Sequence, residues 1–174
     1  AIGFGGDNTS GGCSSPIYDA DDHSYDVKVD ADGFIYVTGF FSGYSAEFDG
    51  FSITNNDWDV DCQPMGYIGK LDSSGNWLWV DKFDGIKDQR GSRDNRLAID
   101  QFSNIYVVGG FQNRGVNQVS NYGPFSLSSN GEWDGFIFKM DKDGNWLWAE
   151  GIGSNKTDRI NSVAIDVCDD IYIT

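Results

Sequence analysis

The chain has 174 residues, which suits one domain, and its 12 basic and 27 acidic residues give a net charge of −15. Aromatic residues make up 15% of it, which excludes a disordered polypeptide, and no apolar run is long enough for a membrane-spanning helix. The acidity argues against nucleic acid as a partner, because phosphates are bound by clustered lysines and arginines. The 23 glycines and abundant aromatic residues favour strands and turns over helices.

An internal repeat organises the chain. The pentapeptide GNWLW stands at 75–79 and again at 144–148, a shift of 69 residues. An aspartate followed by an Ile-Tyr-Val or Ile-Tyr-Ile triplet occurs three times, with the triplets at 35–37, 105–107 and 171–173. Two complete units between two partial ones are therefore predicted. Their expected bounds are 1–6 for the end of a preceding unit, 7–83 and 84–152 for the complete units, and 153–174 for the start of a further one.

Each unit reads as four strands, named a to d in chain order, with short turns after a and after c. The predicted strands are 25–30, 96–100 and 162–166 for a, 34–41 and 105–111 for b, 67–72 and 136–141 for c, and 77–83 and 146–152 for d. A small hairpin is predicted at 46–54, between b and c of the first unit. Repeated four-stranded antiparallel units with regular glycine and aromatic positions predict an all-β fold built of β-propeller blades.

The repeat resembles the bacterial SBBP-type β-propeller repeat over essentially the whole chain. The first copy departs from the pattern at Met65, where the second copy has Asp134. The resemblance implies a propeller in a secreted or surface-exposed bacterial protein, and it implies no single catalytic activity. The positions that carry it are Gly39, Asp134, Phe136, Lys139, Asp141, Gly144 and Trp148.

The connections differ in length between the two faces of the predicted blades. The a-to-b and c-to-d turns on one face are short, whereas the d-to-a and b-to-c connections on the other face are long. Because binding residues usually lie on long loops of a rigid scaffold, we expect a protein or glycan partner on this face. The long connections are 7–24 and 84–95 between d and a, and 42–66 and 112–135 between b and c.

Two groups of aspartates fall on the face with the long loops. Hard carboxylate oxygens at this density suit Ca²⁺, and the alternative is a solvated acidic surface. The turn at 141–145 also looks like the start of a calcium loop, but it lacks the distal glutamate, which favours ordinary hairpin chemistry. The candidate calcium ligands are Asp19, Asp21, Asp22 and Asp26 in one group, and Asp57, Asp59 and Asp61 in the other.

The three cysteines lack the paired spacing of a zinc site. Cys13 and Cys62 both fall in long connections on the same face, so a disulfide between them is predicted, which implies an oxidising compartment. The alternative is three unpaired loop thiols. Cys168 falls in a short turn on the opposite face.

Tryptophans mark the predicted d strands. Trp77 and Trp79, and likewise Trp146 and Trp148, alternate along their strands, which predicts that each pair shares one face and packs between blades. Trp58 and Trp133, near the start of strand c, are candidates for stacking on sugars. Otherwise, we expect them to anchor the loops.

The sequence favours a non-enzymatic scaffold or adhesin module of a secreted or cell-surface bacterial protein. The outward faces of its blades are expected to pack on the remaining blades of the same chain or on a tightly packed subunit. His23 is the only histidine, and nothing around it has the spacing of a nucleophile site, so no catalytic residue is predicted. Two alternatives remain, namely a propeller enzyme acting on sugars or using a quinone-type cofactor, and a structural subunit of an extracellular assembly.

Overall fold

The computed structural model describes residues 5–6, 22–55, 64–84, 95–112 and 119–174. All regular elements within these ranges are β-strands, so the predicted all-β class is confirmed for the part described. The same residues contain no helix that could cross a membrane. The strands are β1 Gly5–Gly6, β2 His23–Val29, β3 Ile35–Phe41, β4 Ser45–Phe48, β5 Phe51–Thr54, β6 Met65–Leu71, β7 Trp77–Phe83, β8 Arg96–Ile99, β9 Ile105–Phe111, β10 Ser120–Tyr122, β11 Phe125–Leu127, β12 Asp134–Met140, β13 Trp146–Ile152, β14 Val163–Ile165 and β15 Ile171–Ile173.

Two antiparallel four-stranded arrays correspond to the two complete repeat units. In the first unit the strands lie in the order β2-β3-β6-β7, and in the second unit in the order β8-β9-β12-β13. Strands β14 and β15 pair in the same way as β2 with β3 and begin a third unit. The predicted order a-b-c-d within each unit is thus confirmed. The described residues form no closed ring of sheets.

Successive units stand side by side, with their a strands as neighbours. Strand β8 lies between β2 and β14. The backbone N–H of Leu97 donates to the Asp26 carboxylate over 3.0 Å, and the buried Asn95 side chain donates to the Gly39 carbonyl over 3.3 Å. Adjacent a strands and face-to-face packing are the arrangement that propeller blades adopt.

The short turns repeat one hydrogen-bonding device. After strand a of each unit, an aspartate accepts the backbone N–H groups two and four residues further on and the tyrosine hydroxyl six residues further on, over 2.8–3.1 Å; these aspartates are Asp30, Asp100 and Asp166. After strand c, Asp72 and Asp141 do the same with the backbone and the side-chain amide of Asn76 and Asn145. The turn at 141–145 therefore has ordinary hairpin chemistry, as the sequence favoured.

The largest apolar cluster among the described residues lies between the first and second units. Tyr36, Ile68 and Phe83 from the first unit meet Phe136 and Phe138 from the second, and all five are buried. Phe83 packs edge-on against Phe138, with ring centroids 5.0 Å apart. Burial of each such aromatic ring contributes roughly 1.5–3 kcal/mol, so this cluster holds the two units together.

The predicted facing of the tryptophan pairs is wrong. Leu71 pairs with Trp77 and Lys70 with Trp79, so the strand register shifts by one residue at this point. Because neighbouring residues of β6 face opposite ways, the bulge turns the two indoles to opposite faces. Trp77 packs edge-on against Phe48 at 5.0 Å, within the first unit, and Trp79 packs against Tyr36 on the side of the second unit. The same shift separates Trp146 from Trp148 in β13.

Candidate functional site

Both b-to-c connections carry a β-hairpin on the face with the long loops. The first, β4–β5, confirms the hairpin predicted at 46–54. The second, β10–β11, has no counterpart in the sequence prediction. Strand β10 pairs with the end of strand d of the first unit, β7, and β4 pairs with β1, which falls in the segment predicted to end a preceding unit. These insertions therefore join neighbouring units, and we call each such contact a clasp.

The second clasp is described in atomic detail. Tyr122 pairs with Phe83, and their rings stack with centroids 6.1 Å apart and an angle of 21° between their planes. The Asp84 N–H donates to the Asn121 carbonyl over 2.8 Å, and the Asn121 N–H donates back to the Asp84 carboxylate over 2.8 Å. A hydrogen bond to a carboxylate is stronger than one between neutral groups, so Asp84 fixes the hairpin at this register.

Trp146 connects the same clasp to the body of the second unit. Its indole N–H donates to the Asp81 carboxylate over 2.7 Å. Gly123, in the turn of the hairpin, has a φ of 57°, and a Cβ there would overlap the Trp146 ring. A cleft of about 290 Å³ opens beside these groups and is lined by Met65, Asp81, Lys82, Phe83, Asp84, Asn121 and Gly123. Both of its carboxylates accept hydrogen bonds, Asp81 from the Trp146 indole and Asp84 from the Asn121 N–H.

Trp133 is buried in the structure, with 6% of its surface exposed. The Arg159 guanidinium lies 4.9 Å from the ring centroid, and the Asp158 N–H donates to the Trp133 carbonyl over 2.8 Å. Trp133 thus ties the b-to-c connection of the second unit to the segment after β13. Its burial favours the loop-anchoring alternative over stacking on a sugar. Trp58, the other candidate for stacking, lies outside the described residues.

Two of the candidate calcium ligands are described. Asp22 accepts the Ser42 N–H over 3.1 Å. Asp26 lies within β2 instead of in a loop, and Lys28 and Leu97 donate to its two oxygens over 2.6 and 3.0 Å. No group of three or more histidine, cysteine, aspartate or glutamate side chains with metal-site geometry occurs in the described part of the chain. Asp19, Asp21, Asp57, Asp59 and Asp61 lie outside it, so calcium binding stays a prediction.

The remaining residues singled out by the sequence are a histidine and three cysteines. His23 and Cys168 are described by the structure, whereas Cys13 and Cys62 are not. His23 begins β2 and stacks beside Tyr25 and Phe40, with ring centroids 6.1 and 5.1 Å away. Cys168 is exposed and its thiol is free. Cys13 and Cys62 are not among the described residues, so their disulfide stays a prediction.

The turn after strand a of the second unit contains a buried charge, Asp100. In the second unit, burial raises the pKa of Asp100, but hydrogen bonds from Asn104, Phe102 and Tyr106 outweigh it, so the pKa lies below the ordinary value. The Lys139 ammonium lies 3.5 Å from the Asp100 carboxylate and 4.7 Å from the Tyr106 ring centroid. The hydrogen bonds thus keep the Asp100 carboxylate ionised, and this charge stabilises the turn.

Asp84 and Asp134 are the site residues that sequence reasoning missed as such. The sequence identifies Asp134 only as a position of the repeat pattern. It is 1% exposed, and one of its oxygens has no hydrogen-bond partner within the described ranges. The signal available in the sequence was the exchange of Met65 for Asp134 between the two units.

Comparison with known proteins agrees with the architecture. No family model matches the chain. The chain is 28% identical over 153 residues to an uncharacterized WD repeat-containing protein of Acanthamoeba polyphaga mimivirus, and the match covers 84% of this chain but 11% of that protein. The chain thus spans about a tenth of the length of the curated relative it matches. WD repeats are four-stranded propeller blades, so the match and the antiparallel four-stranded units together support a β-propeller-like repeat module.

Proposed function

We propose that the chain is a non-enzymatic propeller module that acts as a scaffold and binds a protein or glycan through the face with the long connections. One observation carries the proposal: the connections on one face are tight turns closed by their own aspartates, whereas those on the other face are long and carry hairpins. On the face with the short turns, five aspartates are engaged by the backbone of their own turns. The opposite face holds the long connections and the hairpins, and loops of this kind on a rigid scaffold are where binding residues concentrate.

The location and the chemistry of the partner are part of the same proposal. The SBBP-type resemblance and the net charge of −15 favour a secreted or cell-surface bacterial protein, with adhesion as its role. Exposed carboxylates on the binding face suit a partner with basic groups, or a glycan held through hydrogen bonds and calcium. Glu47 and Glu132 are exposed acidic residues on this face.

The test compares two charge-matched pairs of substitutions. Glu47→Gln with Glu132→Gln removes two charges from the proposed binding face, and Asp32→Asn with Asp143→Asn removes two from the turn face. Both variants and the unmodified chain are applied to arrays of glycans and of extracellular matrix proteins, with and without calcium. We expect the first pair to weaken binding several-fold and the second to leave it unchanged. Equal losses would show that net charge alone governs binding, and the proposal would then fail.

A further inference from the structure

The repeat places a third clasp position at the end of β13. Strand β7 corresponds to β13 by the 69-residue shift, so Phe83 corresponds to Ile152 and Asp84 to Gly153. Phe83, beneath the β10–β11 hairpin, is 1% exposed, whereas Ile152 is 43% exposed. The side chain that the clasp covers in the first unit is therefore open to solvent in the second.

A second hydrogen-bond acceptor at this edge, the Glu150 carboxylate, is also exposed to solvent. Asp81 corresponds to Glu150, since Asp81 pairs with Ile68 and Glu150 with Ile137 in the same way. In the first unit, Asp81 accepts the indole N–H of the following unit's tryptophan over 2.7 Å. Glu150 is exposed and stands in the position to accept the same group from a further unit.

Asp134 supplies an independent observation at this edge. A Cβ built on Gly153 would overlap Asp134 Oδ1, so this oxygen occupies the space that a side chain at position 153 would fill. This Asp134 oxygen has no hydrogen-bond partner in the described part of the chain. Its second oxygen accepts the Asn130 N–H. A buried carboxylate oxygen without a donor is costly, so a donor brought to this oxygen would stabilise the edge.

The two units provide this carboxylate from different strands. In the first unit, Asp84 at the end of strand d is the acceptor, and Met65 begins strand c. In the second unit the aspartate is on the other strand: Gly153 follows strand d and Asp134 begins strand c. Each unit thus has one carboxylate near the end of strand d, and in the first unit it accepts the Asn121 N–H of the hairpin.

We propose that the outer edge of β13, from Glu150 to Gly153, is a docking site for the β-hairpin of a further repeat unit. Asp134 Oδ1 accepts the backbone N–H that Asp84 accepts in the first clasped unit. The occupant has the pattern shared by residues 46–52 and 120–126, in which a small residue, a polar residue and an aromatic residue precede a two-residue turn and a Phe-Ser pair. This inference goes beyond the proposed function and does not depend on which partner the loops bind.

The experiment extends the chain by one unit of its own sequence. Residues 109–152 are appended after Thr174, since Thr174 follows β15 as Val108 follows the equivalent triplet of β9. Ile152→Cys is combined with Tyr122→Cys in the appended copy, and cross-linking is mapped by mass spectrometry. Leu147→Cys, on the same strand and 44% exposed, is the matched control. We expect a cross-link from position 152 and none from position 147.

A residue exchange tests the role of Asp134 in the extended chain. Asp134→Met is expected to speed amide hydrogen exchange at residues 150–154 roughly ten-fold, because a charge-assisted hydrogen bond is lost. Adding Gly153→Asp recreates the Met65 and Asp84 arrangement and is expected to restore protection. A lost packing contact would not be restored in this way. The proposal is overturned by an appended unit that stays unprotected, by one that folds without the cross-link, or by an exchange that fails to restore protection.

Discussion

The two faces of the repeat units differ in how regular their connections are. The turn face uses one device five times, an aspartate that accepts two backbone N–H groups of its own turn. On the loop face, neighbouring units are joined through different residues in each clasp. The acceptor is Asp84 in one clasp and, by our inference, Asp134 in the next. Because the repeated turns stabilise each unit locally, the connections on the loop face can vary between units without loss of the architecture.

The largest effect is expected from the buried turn aspartate of the second unit. Asp100→Ala removes the acceptor for Phe102, Asn104 and Tyr106 and leaves the Lys139 ammonium without its carboxylate. We expect a loss of about 3–5 kcal/mol in the free energy of unfolding, measured in urea by tryptophan fluorescence. The control, Asp32→Ala, removes an exposed aspartate of the corresponding turn in the first unit. If both variants lost the same stability, the turn device would not be what stabilises this face.

A smaller loss is expected from the loop face, at the turn of the second hairpin. Gly123→Ala places a Cβ in the Trp146 ring at a φ of 57°, so we expect about 2–3 kcal/mol from overpacking and backbone strain together. Gly50→Ala is the matched control in the first hairpin. Its φ is 100°, but no atom of the described residues lies within 4 Å of the added carbon, so only the backbone strain of about 1–2 kcal/mol remains. Thermal melts of the two variants compare the hairpins directly, and equal losses would show that Gly123 does not pack on Trp146.

The turn aspartates also predict how stability responds to acid. The Asn76 side-chain amide, followed by backbone N–H groups, lowers the pKa of Asp72 below 3.8, and the pKa of Asp141 is lowered too, because hydrogen bonds led by the Asn145 amide outweigh its burial. Carboxylates with a lowered folded pKa stabilise the protein above about pH 4, and this contribution is lost as the pH falls through the folded value.

The acid response is isolated by comparing two double variants of equal charge. Asp72→Asn with Asp141→Asn is set against Asp32→Asn with Asp143→Asn, so the general loss of negative charge cancels. The Asp72→Asn and Asp141→Asn variant is expected to be the less stable of the two at pH 7. The difference in stability between the two variants is expected to shrink below about pH 4. The midpoint of urea unfolding, measured from pH 7 to pH 2, gives both curves. A difference that stays constant with pH would contradict the lowered pKa values.

The periodic part of the fold could be read from the sequence, and the exceptions to the period could not. Predicted strands 77–83 and 146–152 coincide with β7 and β13, because the repeated pentapeptide fixes where strand d begins. The facing of Trp77 and Trp79 was wrong, since a bulge adds a residue that alternation does not reveal. The β10–β11 hairpin was missed because its strands have three residues each, although the Gly-Pro pair at its turn was a usable signal.

The candidate site was predicted less completely, for a physical reason. The sequence identified the loop face and several aspartates on it, but which oxygen lacks a donor depends on distances between strands. Asp26 was grouped with loop carboxylates, yet it lies in β2 and accepts an N–H from the neighbouring unit. Asp134 and Gly153 are 19 positions apart in sequence, and only the strand register shows that they share one place at the edge of the sheet.

The smallest effect is expected within the turn device itself, at Cys168 in the third unit. Only the backbone N–H of Cys168 is engaged, through its 2.8 Å bond to Asp166, and the thiol is exposed. Cys168→Ser is therefore expected to change the free energy of unfolding by less than about 0.5 kcal/mol, whereas Asp166→Ala lowers the unfolding midpoint by removing the acceptor of that turn. Alkylation of the native chain without reductant should modify Cys168 quickly and, if the predicted disulfide forms, leave Cys13 and Cys62 unmodified. Should Cys168→Ser destabilise the chain as much as Asp166→Ala, the thiol would have a structural partner, and the turn would depend on more than its aspartate.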